Sequence, residues 1–245
     1  LKKRPSTNPL IVHFNGINNL KKDINIKKNF IKLYKAFCPG PITFILYKKP
    51  KSKISQMVTV NNKTVAIRFP SHKVAKDLLK ILNVPLAAPS ANISSKLSPT
   101  CASDVVDEFK KKIKFILDGG RCKIGLESTI VDLTGKPVIL RQGSISARDI
   151  YKILKKKITV NKKPKTAKSP GQSKLHYYPG IPVSINKNYP KKNEAFITIG
   201  NKFKNATNYF NLSKKNNLEE AANNLYKTMR EIKKKNYKSI SVCKI

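Results

Sequence analysis

Residues 85–100 read PLAAPSANISSKLSPT, and three prolines in sixteen residues rule out an ordinary helix there. Each proline ring fixes its own φ and pushes the preceding residue toward extended conformations. Pro85, Pro89 and Pro99 therefore stiffen the segment at three points. Between them stand Ser90, Asn92, Ser94, Ser95 and Ser98, with Thr100 just after and Lys96 as the one charge. Such short hydroxyl and amide side chains tolerate turns and leave backbone N–H groups approachable. The segment is a loop suited to a polar ligand, and the fold around it has to deliver strands into loops.

The flanking pattern does this. Residues 8–14, NPLIVHF, and 42–47, ITFILY, are β-rich apolar runs bounded by Pro and Gly, with a short helical pattern between them ending near Cys38. TVAIRF at 64–69 is a third strand. The following SHKVAKDLLKILN places Val74, Leu78, Ile81 and Leu82 on one helical face, with Ser71 as N-cap. Residues 84–88 lead, extended, into the proline loop. PTCASDVVDEFKKKI is a helix with Ala102, Val105, Val106 and Phe109 inward, capped from Thr100 or Ser103. KFILDGG reads as a strand entering a glycine turn, and STIVDLTGKPVILR as two strands joined at 134–136. SARDIYKIL closes this part with Ser146 and Asp149 spaced as a capping box.

Strands and helices mix without strict alternation, so the expected class is α/β with a mixed twisted sheet. Residues 159–182 are rich in Lys, Pro, Ser and Gly and read as a linker. After it come a strand (EAFITIG), an amphipathic helix aligning Leu218, Ala221, Ala222, Leu225, Met229 and Ile232, and a strand (SISVCKI). The expected division is 1–158, a linker over 159–182, and a small partial α/β domain over 183–245. The opening at Leu1 without a Met, and the shortness of the last piece, lead us to expect chain beyond both ends.

With 245 residues and 40% hydrophobic content the chain is long and apolar enough to bury a core. Its 51 Lys and Arg against 13 Asp and Glu give a formal charge of +38. The basic residues lie in scattered runs, a pattern we read as a solvated lysine-rich surface, with a polyanion footprint as the alternative. Cys38, Cys101, Cys122 and Cys243 form no C-x-x-C pair, so neither a zinc site nor a disulfide framework is indicated. That, with no transmembrane-length apolar run, leads us to expect a cytoplasmic protein without a membrane partner.

Several clusters carry chemistry. KKRPSTNP sets Lys2, Lys3 and Arg4 beside Ser6, Thr7 and Asn8, and arginine presents a planar fork matched to phosphate or carboxylate oxygens. Arg68 lies in an otherwise apolar strand, where a guanidinium needs an anionic partner, either a structural carboxylate or a ligand. LESTIVDL places Glu127, Ser128 and Thr129 after a glycine, and LRQGS sets Arg141 before Gly143. With so few acidic residues, a bound anion is the better partner for buried arginines. Ser90 has neither a G-x-S-x-G elbow nor an accompanying histidine and acid, so no residue is read as a covalent nucleophile.

Taken in order, KKRPSTNPLIVH, CPGPITFIL, TVAIRFPSH, PLAAPSANISSKLSPT, GLESTIVDL and ILRQGSIS resemble YrdC-type threonylcarbamoyl-AMP synthases. SPGQSKLHYYPGIPV resembles the linker of the long form, which adds a small C-terminal Rossmann-like domain. The resemblance implies a YrdC-like catalytic domain lacking its N-terminal strand. It also implies an activity: L-threonine, bicarbonate and ATP, the last with Mg2+, give threonylcarbamoyl-AMP and pyrophosphate for tRNA threonylcarbamoyladenosine modification, the product passing to a separate transferase complex.

By motif position the resemblance assigns Arg4, Asn8, Thr64, Ser90, Ser98, Arg141 and Tyr177 to ATP, and His13, Arg68, Ala88 and Ser128 to threonine. His176 and Tyr177 are implied to form a lid, and no protein side chain is implied to hold a metal. Lys3 stands where the family usually has glycine, and RQGS replaces a commoner Arg-Pro-Gly. His13 without the resemblance reads as a satisfied strand-end histidine. The alternative function is a non-catalytic RNA-binding module of the same fold, and tRNA contact is an open expectation in either case.

Overall fold

A computed structural model describes residues 1–161, 177–203 and 206–244, and they group into two compact units. The first comprises Lys3–Ser90 and Glu127–Lys174; the second comprises Leu1–Lys2, Ala91–Leu126 and Leu175–Ile245. The grouping follows packing, so the proline loop beyond Ser90 belongs with the C-terminal residues.

The elements in chain order are β1 (Ile11–His13), α1 (Lys28–Phe37), β2 (Ile42–Tyr47), α2 (Gln56–Thr59), β3 (Thr64–Arg68), α3 (Lys73–Leu82), β4 (Leu86–Ala88) and α4 (Ala102–Phe109). There follow β5 (Thr129–Asp132), β6 (Val138–Arg141), α5 (Ala147–Leu154), β7 (Thr159–Val160), β8 (Val183–Lys187), β9 (Glu194–Thr198), β10 (Tyr209–Asn211), α6 (Leu218–Lys234) and β11 (Ser239–Cys243).

The first unit is built on a seven-stranded sheet of order β4-β1-β3-β2-β5-β6-β7. It is mixed: β1 and β3, β2 and β5, and β6 and β7 run parallel, while β4, β3 and β6 run antiparallel to β1, β2 and β5 respectively. Successive strand residues point to opposite faces, and the apolar runs here supply both. Val12, Phe44, Leu46, Val65, Ile67, Val131 and Ile139 bury one face with Phe30 and Leu33 of α1 and Ile150 and Leu154 of α5. Phe30 meets Phe44 edge to face at 5.1 Å, a favoured aromatic geometry. Ile11, Ile45, Ala66, Ile130 and Leu140 form a smaller apolar cluster on the other face.

Helix α5 carries the expected capping box, in which Ser146 Oγ accepts from Asp149 N–H and the Asp149 carboxylate accepts from Ser146 N–H. We expect Ser146→Ala to cost about 1 kcal/mol in chemical denaturation; an unchanged midpoint would show that the box adds nothing. Helix α3 departs from expectation. Its N-cap is His72 rather than Ser71, and Ile81 is 80% exposed. The buried stripe centres on Leu79, with Val74, Ala75 and Leu78 beside it. A short helix docks by whichever stripe meets its neighbours, and that phase is set by tertiary contact.

In the second unit β10-β9-β11-β8 form an all-parallel sheet. Ala195, Phe196 and Ile197 pack with Ala221 and Ile232 of α6, the Rossmann-like arrangement expected of this part. Leu218 is exposed at the first turn of α6, outside the buried stripe. Asn217 caps that helix by accepting from Glu219 and Glu220 N–H. Helix α4 begins from Cys101 without a side-chain cap, and Val106 is exposed rather than inward. KFILDGG is not a strand: residues 115–120 are irregular and Phe115 is 90% exposed. A strand needs a neighbour to take its backbone hydrogen bonds, and none of the described strands pairs with this run.

Candidate active site

Strand pairing in the first unit draws distant residues into one row. His13 lies beside Arg68 across β1 and β3, and Arg68 lies beside Thr43 across β3 and β2. Ser128 immediately precedes β5, and its Oγ is 2.7 Å from Thr43 Oγ1. Arg141 ends β6 and donates from Nε to the Ser128 carbonyl and from Nη2 to Ser128 Oγ, each at 3.0 Å. Residues opposite one another in a sheet share a face, so His13, Arg68 and Thr43 stand on the side of Ile11, Ala66 and Ile45. A polar row thus edges an apolar floor.

Gly143 makes the Arg141 end possible. A Cβ there would lie 2.3 Å from Glu127 O and 2.6 Å from Thr129 N, closer than any side chain tolerates. Gly143 N–H also donates to Thr129 Oγ1. The LESTIV and LRQGS motifs are therefore two halves of one structure.

A carbonyl oxygen only accepts, so the 3.3 Å contact between His13 Nδ1 and Leu86 O needs the proton on Nδ1 and leaves Nε2 with its lone pair. Burial, and then the neighbouring Arg68 charge, hold the His13 pKa below its ordinary 6.5. Below that value the unfolded chain takes up a proton that the folded site resists, so acid favours unfolding. We expect stability to fall as pH drops below about 6.5, and His13→Gln to flatten that fall relative to the wild type. Matching pH profiles for the two proteins would remove His13 as its source.

Thr64 opens β3, four residues before Arg68, so the two stand ~13 Å apart along the strand. Strand β4 runs antiparallel to β1 with Leu86 opposite His13 and Ala88 opposite Ile11; continuing this direction, Ser90 leads toward the beginning of β1. Arg4 Nη2 donates to Asn8 O at 3.2 Å and Pro9 O at 2.7 Å. Arg4 Nε and Asn8 Oδ1 are both buried with no hydrogen-bond partner among the described residues. Leaving such atoms unpaired costs about 1–3 kcal/mol each, which favours a ligand at this end. Lys3 holds a left-handed φ of 49°, a conformation glycine adopts more readily.

Ser98 and Tyr177 belong to the second unit. The loop of Ser98 is braced by Asn92, whose Nδ2 donates to Ile93 O and Lys96 O. Tyr177 stacks on Tyr226 with ring centroids 5.6 Å apart. His176 lies outside the described residues. Sequence reading missed Thr43, whose only signal was its position two residues after the Gly-Pro of CPGPIT. Among the described residues no three His, Cys, Asp or Glu cluster as a metal site.

Known families and proteins match this chain along its length. Residues 1–143 match the Sua5, YciO and YrdC family, described as telomere recombination, and residues 145–245 match the threonylcarbamoyl-AMP synthase C-terminal domain. The chain belongs to the threonylcarbamoyl-AMP synthase family. A synthase of that name from Pyrococcus abyssi is 37% identical over 94% of this chain and 73% of its own length. One from Bacillus subtilis is 39% identical over 80% of this chain, which spans 58% of that relative. Among solved structures, P. abyssi Sua5 complexed with L-threonine superposes with a TM-score of 0.88 at 34% identity, covering 100% of this chain and 77% of that one. The two family models together take in residues 1–143 and 145–245.

Proposed function

We propose that the protein is an L-threonylcarbamoyladenylate synthase whose site is the row His13–Arg68–Thr43–Ser128–Arg141 together with the Arg4–Asn8–Thr64 end. The observation that carries this reading is the placing of two half-buried arginines beside hydroxyl groups along one apolar-floored face, in a chain whose relatives bear the synthase name. Threonine and bicarbonate lose water to form a carbamate on the threonine nitrogen. One carbamate oxygen then bonds to the α-phosphorus of ATP as the bond to the pyrophosphate oxygen breaks. Nothing in this sequence needs a protein nucleophile, so positioning and charge neutralisation do the work.

Arg68 pairs the threonine carboxylate, and neutral His13, Ala88 and Ser128 border the amino acid. Arg4, Asn8, Thr64 and Ser90 meet the nucleotide, and by motif Ser98 and Tyr177 do as well. Arg141, held by its bonds to Ser128, neutralises charge at the α-phosphate. The divalent ion enters with the nucleotide, as MgATP. The product goes to a separate threonylcarbamoyl transferase acting on tRNA in the cytoplasm; no described helix is long and apolar enough to cross a membrane.

The test is pyrophosphate release from ATP by the complete protein. Release that requires both threonine and bicarbonate supports the reading. Steeply salt-dependent RNA binding with no threonine-dependent turnover would replace it with a binding module.

A further inference from the structure

Arg230 of helix α6, in the second unit, reaches the proline loop. Arg230 is largely buried, and its Nη2 donates to Leu97 O at 2.6 Å, immediately before Ser98. Its Nε and Nη1 lie 3.7 Å from an Asp104 oxygen and 3.6 Å from a Glu108 oxygen. These carboxylates are four apart on α4 and so share a face.

They are also tied to the loop. Asp104 accepts from both the N–H and the hydroxyl of Thr100, at 2.8 and 3.0 Å. Glu108 accepts from Ile93 N–H at 3.2 Å and lies 3.7 Å from Lys96 Nζ. The loop is therefore held at Ile93, Leu97 and Thr100, and Arg230 meets the group that holds it at each of these three points; Ser94 N–H to Lys2 O and Tyr178 N–H to Ser95 O hold it elsewhere. In a chain with 13 acidic residues, two face this one guanidinium. An arginine fork can meet a carbonyl and two carboxylates at once; a lysine offers only a point charge.

We propose that Arg230 is a positioning residue for threonylcarbamoyl-AMP formation, clamping residues 93–100 so that Ser98 is presented to ATP. The proposal rests on the reading of Ser98 as a nucleotide contact. Nothing in the sequence suggested it, since Arg230 lies 133 residues from Leu97 in a lysine-rich amphipathic helix.

The test uses Arg230→Ala and Arg230→Lys in the complete protein, with steady-state kinetics and hydrogen exchange at the Ile93 and Thr100 amides. We expect Arg230→Ala to speed exchange at both amides by at least ~10-fold and to raise the KM for ATP by about tenfold, with the KM for threonine unchanged. Arg230→Lys should recover part of both effects. If Arg230→Ala does not fold, Glu108→Gln, which weakens the hold on Ile93, supplies the same readouts. Unchanged exchange overturns the clamp. Faster exchange with unchanged ATP kinetics overturns the positioning role, as does a fall in kcat that tracks lost folded protein and leaves KM alone. Ser98→Ala separates this from the underlying assignment. If it leaves ATP use unaltered, Ser98 is not a nucleotide contact; if it impairs ATP use while Arg230→Ala changes neither readout, the clamp alone fails.

Discussion

Arg141→Ala in the complete protein is expected to lower turnover by roughly 100-fold, the loss typical of removing one fixed donor from a site of developing charge. The guanidinium is already held in place before substrate arrives: Nε is bonded to the Ser128 carbonyl and Nη2 to the Ser128 hydroxyl. No salt bridge to Arg141 occurs among the described residues, so its charge is not neutralised by a carboxylate there. Lysine at this position would keep the charge and lose the two-point attachment to Ser128, so Arg141→Lys should fall between wild type and alanine. Single-turnover measurement of pyrophosphate release with saturating threonine is the check. Wild-type kinetics in Arg141→Ala would take this residue out of the reaction and leave the bonds to Ser128 a purely structural role.

Arg68→Ala is expected to damage threonine use while sparing ATP binding. A hydrogen bond to a charged partner is worth about 1.5–3 kcal/mol, which at ~1.4 kcal/mol per tenfold predicts a rise in the threonine KM of roughly 10- to 150-fold. The position supports this selectivity. Arg68 is at the end of β3 beside His13 and Thr43, ~13 Å along the strand from the Thr64 end. A second readout follows from its charge, which helps depress the His13 pKa. Removing it should let His13 titrate at higher pH by NMR. Equal losses for threonine and ATP would mean that Arg68 organises the whole face and does not select the amino acid.

Local chemistry was legible in the sequence where neighbours along the chain decide the outcome. The Ser146–Asp149 box closed as its spacing required, since both partners sit within one helical turn. The runs at 42–47 and 64–68 became central strands because alternate residues could fill both faces of a sheet. Arg68 and Arg141 stood out as anion partners from the scarcity of acidic residues. Residue roles came from the ordered motifs and their resemblance to a family, and those motifs now lie along adjacent strands.

Pattern failed where the deciding partner is remote. KFILDGG has strand composition, but composition cannot supply the neighbouring strand that its backbone needs. Helix α3 was recognised, but its buried stripe runs through Leu79 and leaves Ile81 exposed. Thr43 meets a hydroxyl 85 residues away and Arg230 a carbonyl 133 residues away. The sequence by itself determined local preferences for strand, helix and loop, because those preferences arise from φ and ψ limits and from side-chain periodicity. Only the tertiary structure decided which strand lies beside which, and so which hydroxyl faces which guanidinium. A hydrogen bond depends on separation in space, and chain separation places no limit on it once the backbone has folded back.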